Sequence, residues 1–549
     1  MCKNSALRSS DINLRVTPET SALIKDFLER RRVWGLLPES QKHLLIYLDA
    51  IRQRGEPNAA ILLWPGILNR PAPVQQRALE VMTTLLNTAS ASQVLNLIHE
   101  ASRGNIIWSQ ADHERWWNLT PNDVRSLGSD RPDSAGLLVL LSGHHSGFVR
   151  EAAVLELDGL TLPCVVPALR DRLNDWVEPV RRAALRAMRS FFSAEHAAAL
   201  IGSLDLLDGL RRCGRADHQA VLDQIDMVLR EPAARPQVQA GLSSHTPEIR
   251  RGCYVALLHG PAPDEWLVWG LEAKDPWIRL HAAHAIQALS ADRRPAGILD
   301  RIAVCGLRPV RQIAVEMIAE NGDVDRLRFF LLDQSPTLRE FARFYLAKLL
   351  GSFNAKAFYR DGLTSASGAQ VARYIDGLGE AGDGDDVQTV LDFIQHQRTL
   401  VRLAAIRALA RLAPSNLTDP FLLALADHSG RIRQTASSAL AARQSELPIE
   451  RLASLATTAD PEGRWCVAFL LGNYPSTAQL PSLEQFLTDV DDDVRGLAEN
   501  LCLRSLGQIL NPFLKPDPWR TWAEQHYSAW SANHRDRVRE LIKTKVRGR

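Results

Sequence analysis

Apolar residues recur along this chain at helical spacing, and the whole pattern returns about every 30 residues. An arginine marks its register at ten positions, namely Arg150, Arg181, Arg250, Arg279, Arg311, Arg339, Arg402, Arg433, Arg464 and Arg495. The successive gaps are 31, 69, 29, 32, 28, 63, 31, 31 and 31 residues. Because two gaps are near double length, we expect degraded copies near residues 205–235 and 360–385. A fixed period of this length indicates stacked copies of one small unit.

Three apolar columns accompany the arginine, at one position before it and at three and seven positions after it. Because these columns are four residues apart, they form one stripe along a helix. The central column is almost entirely small, which lets a neighbouring helix approach closely. It comprises Ala153, Ala184, Cys253, Ala282, Ala314, Ala342, Ala405, Ala436, Val467 and Ala498.

The start of this helix is also predicted by the sequence. Four residues before the arginine lie Ser146, Thr246, Asp275, Ser335, Ser429, Asp460 and Asp491. Their side-chain oxygens suit an N-cap, and proline follows in four copies at the first helical position. A shorter apolar segment precedes each cap, so each copy is a helical hairpin. A hairpin of this size cannot bury its stripe alone, and stacking of the copies predicts an α-solenoid.

The turn D-x-x-[VI]-R, as in Asp275–Arg279 and Asp491–Arg495, resembles the HEAT repeat, particularly its short form in the phycocyanobilin-lyase-like group. The resemblance spans roughly residues 137–506, with a weaker copy at Val74, Gln75, Ala78 and Met82. It implies an all-α, right-handed superhelical α-solenoid of about 12–14 short hairpins. It also implies a hydrogen-bond ladder between the turn Asp and the Arg of successive repeats, which is a structural role for the arginines.

The repeat pattern divides the chain into five segments. We predict an N-terminal helical cap over residues 1–57 and a first degenerate repeat region over 58–101. The pattern stops over 102–136, an insertion with Trp108, Trp116 and Trp117, and the solenoid follows over 137–510. Residues 511–549 are expected to form a capping helix, with one face formed by Trp519, Trp522, His526 and Trp530, and a basic tail.

Composition restricts the class of binding partner and the cellular compartment that the sequence allows. The 65 basic and 63 acidic residues give a net charge of +2, which makes nucleic acid or an anionic membrane an unlikely partner for the chain as a whole. Seven scattered cysteines without a C-x-x-C pair favour a reducing compartment. The N-terminus lacks an apolar signal core and no apolar run is long enough to span a bilayer, so we expect a cytoplasmic protein.

Candidate metal and catalytic residues are sparse. The HEAT-repeat enzyme deoxyhypusine hydroxylase holds two irons with His-Glu motifs at matched positions in both halves of its fold. This chain has His99-Glu100 and His113-Glu114 without later counterparts. The His281 and His284 pair lacks an evident third zinc ligand. We predict no catalytic residue, no cofactor and no metal site.

The side of the repeat helix opposite the apolar stripe is the predicted binding face. Positions one and five after the arginine carry mixed residues instead of a continuous basic ladder. Apolar and aromatic residues stand out there at Phe344, Trp465 and Phe469, and Arg407 occupies the same face. Trp116 and Trp117 are further candidates, because tryptophans are enriched at binding hot spots.

These residues predict a non-enzymatic protein-binding scaffold or adaptor with an unidentified protein partner. Two alternatives stay open at this point. The first is a bilin-lyase-like or other HEAT-repeat enzyme, which follows from the family resemblance alone. The second is a nucleic-acid-binding α-solenoid, which is motivated by the basic C-terminus and the scattered arginines.

Overall fold

A computed structural model describes residues 16–29, 38–67, 70–103, 110–128, 132–260, 263–457, 460–510 and 517–544. Across these ranges the regular secondary structure is helical, without a strand. The chain divides into two compact units, unit 1 (Met1–Ile298) and unit 2 (Leu299–Arg549). This boundary lies inside the stretch 137–510 that the repeat pattern treats as one array.

Unit 1 consists of helices that follow one another closely along the chain. Its α-helices are α1 (Pro18–Glu29), α2 (Pro38–Arg54), α3 (Ala59–Leu62), α4 (Ala72–Thr88), α5 (Ala91–Arg103), α6 (Gln110–Trp117), α7 (Pro121–Gly128), α8 (Ala135–Leu141), α9 (Gly147–Glu156), α10 (Val165–Leu173), α11 (Glu178–Met188), α12 (Ala197–Ile201), α13 (Leu204–Asp208), α14 (Gln219–Arg230), α15 (Arg235–Gly241), α16 (Pro247–Leu258), α17 (Pro263–Glu272) and α18 (Pro276–Gln287). The repeat helices α9 and α11 pack side by side. Helix α9 also packs against the shorter helix α8 that precedes it, and α11 packs against the shorter helix α10.

Unit 2 has the same construction. Its α-helices are α19 (Ile298–Ala303, which begins at the boundary residue), α20 (Arg308–Glu320), α21 (Val324–Phe330), α22 (Pro336–Leu350), α23 (Ala355–Ser365), α24 (Gln370–Ala381), α25 (Val387–Leu391), α26 (Thr399–Leu412), α27 (Asp419–Ala424), α28 (Gly430–Ala441), α29 (Ile449–Ala453), α30 (Pro461–Leu471), α31 (Ser476–Leu483), α32 (Asp492–Ile509), α33 (Pro518–Gln525) and α34 (Ala532–Thr544). The even-numbered helices α20 to α32 form one layer in which successive members contact each other.

The predicted helix starts are confirmed. All seven Ser, Thr and Asp residues four positions before the arginine occupy N-caps with extended backbone. Only the aspartates use their side chains for capping: Asp275 accepts from Trp277 N, Asp460 from Gly463 N, and Asp491 from the N–H groups of Asp493 and Val494. The serine and threonine caps make no such bond.

The predicted apolar stripe is the core of both units. Every residue three positions after a repeat arginine, from Ala153 to Ala498, has 0% of its surface exposed. The residues seven positions after it are at most 5% exposed. The weak early copy follows the same rule, since Val74, Ala78 and Met82 of α4 are fully buried. Small residues at the centre of the stripe therefore form the seams through which neighbouring helices pack.

A ladder of arginine–aspartate pairs joins successive repeats. Arg402 of α26 donates through Nε to Asp427 Oδ2 at 2.7 Å and through Nη2 to Asp427 Oδ1 at 3.0 Å. Its Nη1 donates to the His396 carbonyl at 2.9 Å, while Asp427 also accepts the Ser429 N–H at 2.8 Å. Equivalent pairs are Arg150–Asp175, Arg250–Asp275, Arg311–Asp333, Arg433–Asp460 and Arg464–Asp489.

The acceptor of this ladder differs from the one that the HEAT resemblance implies. The turn motif places the aspartate four residues before the next arginine, and Asp275 and Asp460 do lie there. In the other four pairs the acceptor lies six residues before it, at Asp175, Asp333, Asp427 and Asp489. In three of these four repeats the residue four before the next arginine carries no carboxylate, namely Val177, Ser335 and Ser429, and in the fourth Asp491 accepts two N–H groups of its own helix. The Arg464 guanidinium lowers the pKa of Asp489.

Both regions expected to hold degraded copies contain a repeat helix, α14 and α24. Helix α24 replaces the missing ladder residues with two carboxylates one turn apart. Glu380 accepts from Arg339 and Arg343 of α22, and Asp376 pairs with Arg407 of α26 at 2.9 Å. Gly379 lets α24 approach α26 so closely that a Cβ there would lie 2.6 Å from the Ala408 backbone.

The two non-repeating segments contain helices of their own. The described part of the 102–136 insertion holds α6 and α7, while Trp108 lies outside the described residues. The predicted single C-terminal helix is wrong, because α33 ends at Gln525 and α34 begins at Ala532. The break occurs where the Ser531 hydroxyl donates to the buried Glu499 of α32, and Trp530, 1% exposed, lies between the two helices.

None of the described helices combines the length and the apolarity that a bilayer crossing requires.

Candidate functional site

The solvent side of the even-numbered helices in unit 2 carries most of the predicted binding residues. Phe344 on α22 is 60% exposed, and Trp465 and Phe469 on α30 are 39% and 43% exposed. Leu403 is an exception to the predicted columns, since it is 7% exposed where the close approach of α24 and α26 covers it. The columns one and five positions after the arginine therefore face water in α22 and α30.

A groove of about 760 Å³ runs across α28, α30 and α32, and we name it the Trp465–Phe469 groove. Its lining includes Gln434 and Ser438 of α28 on one side and Leu497 of α32 on the other. The Trp465 and Phe469 rings stack with 5.5 Å between centroids and an angle of 5° between their planes. One turn of helix separates the two residues, which sets this stacking distance.

Small residues on the flanking helices keep the Trp465–Phe469 groove open. Ser438 stands on α28 at the position that Phe469 occupies on α30, five residues after the arginine. Gly496 stands on α32 at the position of Trp465, and a Cβ added there would meet no atom within 4 Å. The aromatic pair therefore has no side chain of comparable size beside it at the matching positions.

The charged part of the lining is mainly acidic. Glu462, Asp491 and Asp493 contribute carboxylates, and Arg433 contributes a guanidinium. Arg433 is 7% exposed and donates to the Asp427 carbonyl at 2.7 Å and to Asp460 at 3.4 Å. Cys466 also lies in the lining, and burial raises the pKa of its thiol.

Two predicted residues of unit 2 lie outside this lining. Phe344 on α22 contacts Tyr345, with 5.3 Å between ring centroids. Arg407 is held by Asp376 of α24, so its guanidinium links two helices. The structure thus brings Trp465 and Phe469 together and leaves Phe344 and Arg407 separate from them.

The two tryptophans predicted in unit 1 have different environments. Trp116 is 1% exposed and packs edge-on against Trp64 at 5.1 Å, so it is a core residue and not an exposed binding residue. Large aromatic side chains bury a large apolar area, and α6 places the Trp116 ring in the core of unit 1. Trp117, 39% exposed, lies over His145 at 4.1 Å and stays accessible.

His144 ties this cluster together. Its Nε2 donates to the Trp116 carbonyl at 2.8 Å, and its Nδ1 accepts the Ser146 N–H at 3.2 Å. Burial lowers the pKa of His144 to about 4, so the ring is neutral at neutral pH. This arrangement fixes α6 against the turn before α9.

Several exposed aromatics were missed because they lie in turns or near helix starts, not in the two columns considered. Trp176 is 79% exposed and lies under Arg215, whose Cζ is 3.6 Å from the ring centroid. Trp277 stacks on His281 at 4.6 Å. Trp176 lies five residues before the repeat arginine Arg181, and Trp277 lies two residues before Arg279. These two positions occur in every repeat, and they are the sequence signal that identifies both tryptophans as candidates.

Metal-binding and nucleophilic chemistry has little support in the described part of the chain. No group of three or more His, Cys, Asp or Glu residues within it has an arrangement that can hold a metal ion. Burial raises the pKa of Cys164 and of Cys253 to about 12, so both thiols are protonated at neutral pH.

Comparison with solved structures finds similar helical proteins at low identity. A microtubule polymerase with tumor overexpressed gene domain arrays, studied for tubulin recruitment, is 11% identical; the match covers 73% of this chain and 99% of that chain, with a TM-score of 0.27. Yeast importin-beta is 12% identical, with 97% and 67% covered and a TM-score of 0.31. A karyopherin bound to the extreme C-terminus of a protein phosphatase is 12% identical, with 98% and 66% covered and a TM-score of 0.31.

At these TM-scores the solved structures assign no family to the chain. No curated protein matches the chain. The phycocyanobilin-lyase-like subgroup stays a prediction. The family model of HEAT repeats matches residues 418–502, which span α28, α30 and most of the α32 core. The same buried stripe and arginine ladder recur in both units, so each unit is all-α and built from stacked helical hairpins similar to the HEAT repeats matched at 418–502.

Proposed function

We propose that this protein is a non-enzymatic scaffold and that unit 2 binds a segment of another protein in the Trp465–Phe469 groove. The observation that carries the proposal is the stacked, half-exposed aromatic pair inside a groove of about 760 Å³. Covering apolar surface contributes about 25 cal/mol per Å². Tryptophan is also enriched among the residues that dominate protein interfaces.

The groove volume supports a segment as the ligand. Clefts of about 300–1,000 Å³ are typical of sites that enclose a small ligand or a few side chains. The backbone that forms the groove is held by the ladder pair Arg464–Asp489, so the site is built on fixed helices. A preorganised site of this kind loses little conformational entropy when it binds.

Other groups support binding over catalysis. The repeat arginines Arg402 and Arg464 are engaged by ladder aspartates. His144, the histidine with the largest lowering of its pKa, is enclosed by backbone partners and is not open to a substrate. We therefore assign no reaction to this chain.

Comparative affinity capture tests the proposal. The wild-type protein, the variant Trp465→Ala/Phe469→Ala and the control variant Phe329→Ala/Trp176→Ala are used as baits in the same native extract. The control removes two aromatics of at least equal exposure, 64% and 79%, that lie outside the groove. We expect at least one protein captured by the wild type and the control to be lost with the groove variant. Retention of every specific partner by the groove variant would refute the proposal.

A Phe344→Ala variant is included in the same comparison as a separate arm. Phe344 is 60% exposed but lies on α22, outside the groove lining. If partners are weakened by this change as well as by the groove variant, the contact surface extends along the layer of even-numbered helices. If they are unaffected, the interface does not extend to Phe344 on α22.

A further inference from the structure

The carboxylates of the Trp465–Phe469 groove outnumber its cations. Glu462, on the first turn of α30, has 67% of its side chain exposed, and Asp493 at the start of α32 is also exposed. Asp491 caps α32 through the N–H groups of Asp493 and Val494. Within the described residues Arg433 is the one cation of the lining, and only 8% of its side chain is exposed.

Two arginines next to the groove, Arg464 and Arg495, are already paired with aspartates. Arg464 is bound by Asp489, with both contacts at 2.8 Å, and Arg495 is paired with Asp492. Arg433 lies 3.9 Å from Glu462, beyond hydrogen-bond distance, and 67% of the Glu462 side chain is exposed. A ligand entering the groove therefore meets negative charge at its rim.

The aromatic rings that form the floor of the groove favour a second property of the ligand. Trp465 and Phe469 form a parallel stacked pair with about two fifths of each side chain exposed. Aromatic π systems attract cations, and long basic side chains carry an apolar stem that packs on a ring while the charged end stays polar. Gln434 and Ser438 beside the rings can hydrogen-bond a peptide backbone.

From this charge complementarity we infer that the groove takes a partner segment with a lysine or arginine next to an apolar side chain. The apolar group and the stem of the basic side chain cover Trp465 and Phe469, and its cationic end lies near Glu462 and Asp493. The inference rests on the proposed function, because it names the chemistry of the segment bound at that site.

Selection of short random peptides displayed on phage tests the inference. The full-length wild-type protein is the target, and the library is first depleted on Trp465→Ala/Phe469→Ala. We expect the recovered peptides to share a basic residue beside an apolar one. Synthetic copies should bind about tenfold more weakly to Glu462→Gln/Asp493→Asn, and the loss should shrink in high salt. The charge-matched control Glu340→Gln/Asp361→Asn, on exposed sites of α22 and α23, should bind like the wild type.

The outcomes separate the two claims. Neutral or acidic peptides that still depend on Trp465 and Phe469 overturn the inference and leave the proposed function standing. Recovery of no peptide that depends on these rings counts against the proposed function itself. Sedimentation of the wild type that changes with Trp465→Ala/Phe469→Ala would assign the groove to a second copy of this chain. Tighter peptide binding by Lys545→Gln/Arg547→Gln/Arg549→Gln would assign it to the chain's own tail; either result overturns the inference.

Discussion

Gly379 is where the packing of unit 2 is most sensitive to a single methyl group. A Cβ at this position would lie 2.6 Å from both Cα and Cβ of Ala408, and carbon atoms normally pack at about 3.5–4.0 Å. The obstacle is the backbone of α26, which cannot rotate away. Gly379→Ala must therefore push α24 and α26 apart by roughly 1 Å.

Two effects of opposite sign determine the magnitude. Overfilling a packed interface costs about 1–3 kcal/mol, and the backbone clash here places this substitution near the upper end. Alanine is favoured over glycine within a helix by about 1 kcal/mol. We expect Gly379→Ala to destabilise unit 2 by about 2 kcal/mol. The matched control is Gly496→Ala on α32, where a Cβ meets nothing within 4 Å and should stabilise.

Hydrogen exchange of the full-length variants, followed by mass spectrometry, measures this locally. Stacked repeats interact mainly with their neighbours, so the loss should be concentrated in α24 and α26. A loss of about 2 kcal/mol corresponds to roughly 30-fold faster exchange in those helices. Urea unfolding followed by circular dichroism supplies the global comparison. If Gly379→Ala exchanges as slowly as the wild type in both helices, the close contact does not limit stability and the reasoning fails.

Three other substitutions or conditions test the ladder and the unit 1 cluster. Arg402→Ala leaves the Asp427 carboxylate without its guanidinium and should lower the free energy of unfolding in urea by about 1–3 kcal/mol. The control Arg431→Ala, at an exposed position, should lower it by less than about 0.5 kcal/mol. Equal losses for the two variants would show that the ladder has no special role in stability. Arg464 lowers the pKa of Asp489, so the ionised Asp489 contributes to the free energy of unfolding above its ordinary pKa of 3.8, and this contribution should be lost as pH falls below that value. Asp489→Asn should therefore reduce the pH dependence of acid unfolding curves. His144 has a pKa of about 4 in the folded state and 6.5 ordinarily, so the unfolded state binds the extra proton between these values and unit 1 should weaken as pH falls from 6.5 towards 4. His144→Gln should reduce that slope in thermal melts from pH 7 to 5, whereas the exposed His428→Gln should not; an unchanged slope would locate the acid sensitivity elsewhere.

The candidate site was only partly within reach of the sequence. Helical spacing identified Trp465 and Phe469 as exposed, because both lie opposite the buried stripe of their own helix. The groove around them depends on Ser438 and Gly496, which lie on two other helices. Trp116 looked like Trp117 in sequence, but contact with Trp64 buries it. Nothing in the sequence around Arg407 indicates its ion pair with Asp376 of α24.

The sequence by itself determined the hairpins, their caps and the buried column from Ala153 to Ala498, since helix periodicity and capping act over a few neighbouring residues. It also predicted a ladder, although by resemblance and with the wrong acceptor in four of the six pairs. Tertiary structure alone decided which exposed rings share a groove, which arginines are already paired and where the C-terminal helix breaks. Those outcomes depend on contacts between residues about one repeat or more apart, and a local pattern carries no information about the side chain that a neighbouring helix supplies.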